Sequence, residues 1–336
     1  MTSAPHPELA DKLRRRGFLG VAAGATAATL LGTTPAHATT GERRGPIVPR
    51  GHLGIQLYTL RDQVQSIGFA RVFEELARYG YDQVEFAGYT QGAAGAITLR
   101  QLKRLLRDNG LRGIGSHVGY YADDPKAYTF ATNLTQVLDD AQALGLPHVG
   151  TASGPWRYGT TVDGWKRCAE DFNTYGAAAK ARGMKFYQHN HAEEFSFATD
   201  RPDVRLYDVL LAETDPELVH LEMDIYWAYV AQHRFGRQAD GTPAPFEPLD
   251  YVLADPDRYP LFHVKDGERD ETVPDGYRMV DVGDGDIDYV RFLAKVGRTH
   301  GGRCGHQWMV EHDNPADSLT TARRSARYLR TGRCGD

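Results

Sequence analysis

From about residue 50 onward, short apolar runs alternate with amphipathic stretches, eight times over. Residues 53–58, 83–86, 113–117, 148–151, 185–190, 219–224, 261–265 and 307–311 are mostly apolar or β-branched. Such runs suit parallel strands covered on both faces. Between them lie helical patterns. Phe69, Val72, Phe73 and Leu76 mark one at residues 69–79, and Leu99, Leu102, Leu105 and Leu106 mark a second before Gly110. Residues 131–144 stop at Gly145 and residues 165–181 before Gly183, as glycine stop signals predict. Later helices are predicted over 204–213, 248–255, 289–298 and 315–329. Eight strands, each followed by a helix, predict an α/β fold: a single (β/α)8 TIM barrel over residues 51–331. A doubly wound sheet would place a glycine cluster after its first strand. Tyr58-Thr59-Leu60-Arg61-Asp62 stands there instead. Two long stretches, 226–246 and 267–285, read as loops at the C-terminal face, where barrel enzymes meet their substrates.

The N-terminal region reads differently. Lys12 and Arg14–Arg16 precede an uncharged apolar stretch at 18–32 and a small-x-small site, Ala36-His37-Ala38. This is the layout of a signal peptide over residues 1–38. Arg15-Arg16-Gly17-Phe18-Leu19 resembles a twin-arginine signal, so export to the cell envelope or beyond is expected. The apolar stretch falls short of the roughly 20 residues a membrane span needs, so no membrane attachment is expected after signal removal. Residues 39–50 read as a linker and 332–336 as a tail. Roughly 300 residues remain, against about 250 for a typical barrel. Net charge is −5 with both signs mixed, which leaves no basic stripe for nucleic acid. Of three cysteines, Cys304 and Cys334 could pair and leave Cys168 free. A homo-oligomer is compatible with the sequence, but no interface is legible in it.

Residues that carry chemistry gather at the strand ends. Ser116-His117 ends the third run, and Gln188-His189-Asn190-His191 the fifth, with Glu193-Glu194 behind it. Glu222-Met223-Asp224 ends the sixth, His263-Val264-Lys265-Asp266 the seventh and Glu311-His312-Asp313 the eighth. Histidines and carboxylates facing one barrel mouth form the donor set of a divalent cation: Mn, Co, Zn or Mg. Tyr58, Tyr120, Tyr121, Trp156, Tyr226 and Trp227 offer aromatic faces to a sugar ring, and Gln56, Glu85 and His191 could bond its hydroxyls. Glu222 either faces the barrel interior or accepts from Lys265. Few cations stand near the mouth beyond Lys265, Arg61 and Arg157, so an unphosphorylated small carbohydrate is the expected partner.

These motifs resemble the xylose-isomerase-like TIM-barrel superfamily, which holds sugar phosphate isomerases and epimerases and type-IV AP endonucleases. The likeness rests on Leu53-Gly54-Ile55-Gln56-Leu57-Tyr58, His189-Asn190-His191, Met223-Asp224-Ile225-Tyr226-Trp227-Ala228, Phe262-His263-Val264-Lys265-Asp266 and Val310-Glu311-His312-Asp313. Val282-Gly283-Asp284-Gly285 resembles the family's Gly-x-Gly segment. The resemblance implies one divalent ion held by His189, Asp224, His263 and Glu311. His189 departs from the epimerases, which carry Glu there as ligand and base. The branch with His-Asn-His includes proteins acting on 3-keto-glycosides, some of them lyases. The implied reaction is isomerisation or epimerisation of a keto sugar or 3-keto-glycoside through an enediolate. Loss of a β-substituent from that intermediate would make the protein a lyase. His117, Glu194, Lys265 and Glu311 are the catalytic candidates, with His117 or Glu194 favoured as general base. A non-catalytic carbohydrate-binding barrel is a third reading. A nuclease is the weakest, because phosphate contacts demand many basic residues on the barrel face, whereas this chain is acidic overall and its chemistry-bearing loops are rich in Asp and Glu.

Overall fold

The computed structural model describes residues 45–88, 97–152, 154–297 and 305–332. The expected signal peptide, the first part of the expected linker, Cys304, Cys334 and most of the expected tail lie outside the described residues. Among the described residues there are ten strands: β1 (Leu53–Gln56), β2 (Gln83–Phe86), β3 (Arg112–Ser116), β4 (His148–Thr151), β5 (Lys185–His189), β6 (Val219–Asp224), β7 (Leu261–Val264), β8 (Asp266–Arg269), β9 (Tyr277–Val280) and β10 (Gln307–Val310). Eight of them form one parallel sheet in the order β3-β2-β1-β10-β7-β6-β5-β4, while β8 and β9 make a separate antiparallel ribbon. A parallel bridge between His117 and Gly150 joins the two ends, and Val118 N–H donates to the Gly150 carbonyl at 2.8 Å. The sheet thereby closes into a barrel.

The helices are α1 (Arg61–Tyr79), α2 (Leu99–Asp108), α3 (Phe130–Leu144), α4 (Val162–Lys180), α5 (Leu206–Glu213), α6 (Ile225–Arg234), α7 (Pro248–Ala254), α8 (Tyr289–Val296) and α9 (Ser318–Thr331). Their starts are chemically marked. Thr98, Thr129, Thr161, Asp288 and Asp317 each accept a backbone N–H of the first turn, which satisfies donors that a helix N-terminus otherwise leaves open. Among the described residues no helix is long and apolar enough to cross a membrane.

Several boundaries differ from the sequence expectation. β1 stops at Gln56, because the Gln56 side chain accepts Tyr58 N–H and turns 57–60 into a 3-10 helix. α1 begins at Arg61 rather than residue 69 and kinks at Gly68, whose φ of 78° lies in the left-handed region. The 226–246 stretch opens as α6, and the 267–285 stretch holds the β8–β9 ribbon. Part of the expected linker belongs to the fold. Ile47 and Val48 N–H groups donate to the Leu329 carbonyl, and Val48 is fully buried.

The barrel interior is plugged below the mouth by Ile114, Tyr187, Leu261 and Met309. Tyr187 fits because its neighbours lack a β-carbon. A Cβ on Gly150 would sit 2.2 Å from the Tyr187 carbonyl oxygen, and one on Gly54 would meet the end of the Met309 side chain at 2.3 Å. Backbone cannot retreat as a methionine can. Gly150→Ala should therefore cost about 1–3 kcal/mol or more, and Gly54→Ala visibly less, in urea unfolding. Equal losses would contradict this account of the barrel plug.

Candidate metal centre

Strand periodicity brings the polar residues together. Side chains alternate along a strand, so Tyr187 and His189 share one face, as do Glu222 and Asp224, His263 and Lys265, and Met309 and Glu311. The inward face thus changes from an apolar plug to imidazole and carboxylate within one strand step. β3 needs a correction to do the same. Val84 pairs with Gly113 but Glu85 with Gly115, so Ile114 is an extra residue. This bulge shifts the phase of the strand and lets His117 join the interior cluster, in keeping with bulges found beside active sites.

Two donor clusters share one ring. His189, Asp224, His263 and Glu311 offer atoms that all lie within 4.8 Å of one another, and so do Glu85, His117, Glu222 and His263. The His263 ring is fully buried. Its Nδ1 lies 2.6 Å from Glu311 Oε2, 3.0 Å from His189 Nε2 and 3.7 Å from Asp224 Oδ2. Its Nε2 lies 2.7 Å from Glu85 Oε2 and 3.3 Å from Glu222 Oε2. His117 Nε2 stands 2.7 Å from Glu222 Oε2 and 3.3 Å from Glu85 Oε1, while the Tyr187 hydroxyl donates to Glu85.

The upper cluster fits a divalent cation. Two ring nitrogens face each other at 3.0 Å, which brings two lone pairs together unless a proton or a cation lies between them. Two carboxylates complete a mixed nitrogen and oxygen set of the kind borderline metals take. The lower cluster consists of nitrogen-to-carboxylate contacts that N–H donation explains by itself. A carboxylate behind a ligating histidine holds the ring's tautomer and angle, and Glu85 stands in that place.

Asp224 does two things at once. It ends β6 and caps α6: its Oδ1 accepts Trp227 N–H at 2.9 Å, which leaves Oδ2 for the cluster. Lys265 Nζ lies 2.9 Å from that Oδ2, 2.8 Å from Glu311 Oε2 and 2.8 Å from Asp313 Oδ1.

Burial and charge set the protonation states. Burial raises the Asp224 and Glu311 carboxyls, but the Lys265 ammonium together with His189 and His263 outweighs it and holds both well below the usual carboxylate range. Burial, then His263, push His189 well below the usual imidazole value. Burial and Lys265 also lower His191. His117 moves the other way: Glu85 and Glu222 outweigh its burial and raise it. Glu85 is lowered to about 2, its burial overcome by His117 and His263. Burial pushes Glu194 up to about 8.

The four residues implied as ligands are brought together, with Lys265 against them. The other candidates divide. His191 and Trp227 stand at the rim, partly exposed, with ring centres 5.8 Å apart; His191 lies 4.9 Å from the His189 ring. Lys265 Nζ lies 5.7 Å from the Trp227 ring. Glu85 and Gln56 are fully buried: Glu85 lies beneath His263, and Gln56 approaches His117 Nδ1 at 3.4 Å. Neither is open to a hydroxyl group. His117 is engaged by two carboxylates, so it is not a free base. Glu194 is buried, with Oε2 accepting His191 N–H at 2.8 Å and Oε1 without a partner among the described residues. Tyr58 is exposed under the Arg61 guanidinium. Trp156 packs on Trp165, Tyr120 is buried on Phe172 and donates to Asp171, and Tyr226 is buried beside Tyr277. Glu222 faces the interior and meets His117 and His263, which settles the choice left open by the sequence. Its role in the lower cluster was hidden because a carboxylate two residues before a strand end reads as ordinary barrel filling.

The sequence model of the xylose isomerase-like TIM barrel matches residues 73–332, and the chain belongs to that family. A sugar phosphate isomerase/epimerase from Parabacteroides distasonis is similar in structure. It has 25% identity and a TM-score of 0.63, over 82% of this chain and 97% of that one. A second protein of that name and organism has 23% identity and a TM-score of 0.64, over 84% and 95%. The IOLI protein, solved with a zinc atom, has 14% identity and a TM-score of 0.59, over 83% and 97%. No curated protein sequence matches the chain.

Glu194 yields a sign-definite prediction. Its folded value of about 8 stands above the ordinary 4.5, so the folded state holds a proton that the unfolded chain has lost between those values. Stability is then lost as pH rises from about 4.5 to 8. Glu194→Gln keeps an oxygen for His191 N–H and removes the titration. Its stability relative to wild type should rise between pH 5 and 8 by up to a few kcal/mol. Parallel urea-stability curves for the two proteins would refute the assignment.

Proposed function

We propose that the protein is a divalent-metal-dependent sugar isomerase or epimerase acting on a keto sugar or 3-keto-glycoside. The observation that carries this is the convergence of His189 Nε2, Asp224 Oδ2, His263 Nδ1 and Glu311 Oε2 at the catalytic end of the barrel. The name of the Parabacteroides distasonis neighbour at 25% identity supports the reaction class. The exported location read from residues 1–38 and an unphosphorylated substrate are parts of the same proposal.

His189, Asp224, His263 and Glu311 would hold the ion, which when bound supplies Lewis acidity toward a carbonyl oxygen and its neighbouring hydroxyl. The chain's own groups do the rest. Lys265 compensates charge at Asp224, Glu311 and Asp313 and adds a positive field where negative charge develops on the substrate. The Trp227 face offers a stacking surface for the sugar ring. Of the imidazoles, His191 has the combination a base needs: it is partly exposed at the mouth, and no carboxylate engages its ring in the way that Glu222 engages that of His117. It takes the α-proton. Return of that proton by His191 to the neighbouring carbon gives an isomer; an epimer forms when a second donor, a side chain or water on the opposite face, protonates the original carbon while His191 keeps the first proton. Glu85 and Glu222 hold the His263 ring from behind, so its Nδ1 stays turned to the mouth.

Elemental analysis should find about one Mn, Co, Zn or similar ion per chain, with Asp224→Ala and His263→Ala both losing it. A wild type that stays empty when metal is offered would leave a carbohydrate-binding barrel as the better reading. With metal in place, keto sugars and 3-keto-glycosides should exchange their α-proton in heavy water. His191→Ala should slow that exchange by about 10²–10⁴ while keeping its metal. Loss of the metal in His191→Ala, or unchanged exchange, would rule His191 out as the base.

A further inference from the structure

A second concave site lies away from the metal donors. Its volume is about 550 Å³, within the range of small-ligand pockets, and its walls come from the end of α6, the segment 236–246 and the β8–β9 ribbon. Arg234, Arg237 and Arg269 all line it, together with Tyr229, Tyr277 and Glu271. α6 carries Asp224 at its start and Arg234 at its end, so about 15 Å of helix separates the two sites.

The walls are fixed in place rather than draped. The buried Arg205 donates to the Phe235 and Ala244 carbonyls at 3.3 and 2.8 Å and stacks on Phe246, 4.3 Å from the ring centre. Gln232 Nε2 donates to the Phe246 carbonyl at 2.6 Å. On the other side Gly276, with φ of 69°, lies so close to His233 that a Cβ would come within 2.4 Å of the ring. This contact seats the ribbon turn on α6.

The charges on these walls are unevenly paired. Arg234 has Glu193 at 2.6 Å and Asp275 at 3.5 Å. Arg237 and Arg269 have no carboxylate within 4.0 Å among the described residues; Arg237 donates to the Gly241 carbonyl at 3.0 Å, and Arg269 lies 5.7 Å from the Tyr277 ring centre. Two guanidinium groups without a carboxylate partner line the same pocket and offer an oxyanion forked hydrogen bonds. Glu271 would repel a bare anion but accepts hydroxyl groups. The two tyrosines add ring faces. A ligand that satisfies all of these carries an acidic group and several hydroxyls on one small frame.

We propose that this pocket is an accessory binding site for an acidic sugar, a uronate or a sugar phosphate, that works independently of the metal centre. Arg237 and Arg269 take the carboxylate or phosphate, Glu271 takes hydroxyl protons, and Tyr229 or Tyr277 faces the ring.

Isothermal titration of the full chain with glucuronate, glucose 6-phosphate, glucose and inorganic phosphate tests it. At low salt the two acidic sugars should bind at least about tenfold more tightly than glucose, and added salt should weaken them, since the site is open to solvent. Whichever acidic sugar binds more tightly identifies the group the pocket is built for. The Arg237→Ala/Arg269→Ala double variant, both positions exposed, should keep its melting temperature and lose at least about tenfold in affinity. Glu271→Gln should weaken the sugars and not inorganic phosphate. Glu311→Ala, which removes a metal donor without touching α6, should bind them as the wild type does. Binding abolished in Glu311→Ala would place the ligand at the barrel mouth and overturn the proposal. Equal affinity for glucose, unchanged affinity in the arginine double variant, or inorganic phosphate matching glucose 6-phosphate would each overturn it as well.

Discussion

One buried imidazole organises the barrel mouth. His263 has no exposed surface, yet both of its nitrogens are in use, one toward Asp224, Glu311 and His189, the other toward Glu85 and Glu222. A ring gripped on both edges cannot turn without leaving a buried charge unpaired, which costs several kcal/mol in low dielectric. Its neighbours depend on it in turn. The Glu85 carboxylate is held down by His117 and His263, and the Glu311 carboxylate by Lys265 and His263. Strands β2, β5, β6 and β7 and the residues after β3 and β10 thus meet through this ring. The apolar plug of Tyr187 and Met309 beneath it keeps water from relieving the charges from below.

Much of this was legible in the sequence, for physical reasons that can be named. Parallel strands covered on both faces leave apolar runs, so all eight barrel strands could be read to within about two residues. The histidines and carboxylates that end them stood out because such residues interrupt a buried pattern only where the pattern stops. Features that depend on one hydrogen bond were not legible. The early end of β1 rests on the Gln56 side chain taking Tyr58 N–H. The bulge at Ile114, without which His117 would not face inward, leaves no mark in a run as plain as Arg112-Gly113-Ile114-Gly115-Ser116. Exposure misled as well: Glu85 and Gln56 point inward as expected but lie too deep for a substrate, and Tyr120 and Trp156 serve the outer layer.

The Gly-x-Gly segment shows how a motif acquires a reason. Asp266 follows Lys265, and its buried carboxylate collects the N–H groups of Gly267, Gly283, Gly285 and Ile287. A Cβ on Gly285 would lie 2.2 Å from that carboxylate. The segment therefore wraps an acid of its own chain. Burial still raises that acid to about 6 against these four donors. By fixing the β8–β9 ribbon next to Lys265, this knot ties the arginine-lined pocket to the same frame that carries the metal donors, so the two sites keep a set spacing.

The closure of the barrel has a further meaning. Seven of the eight strand junctions are ladders of several residue pairs, and the eighth is the single bridge between His117 and Gly150. A cylinder closed in this way has one thin stave. His117 stands on that stave and reaches inward to Glu222 on β6. Its side chain therefore acts as a crossbar, pulling a weakly laced edge toward the far wall. The electrostatics that prepare the mouth for chemistry also keep the cylinder round, and a change that discharges Glu222 would loosen the seam before it touched the hydrophobic core.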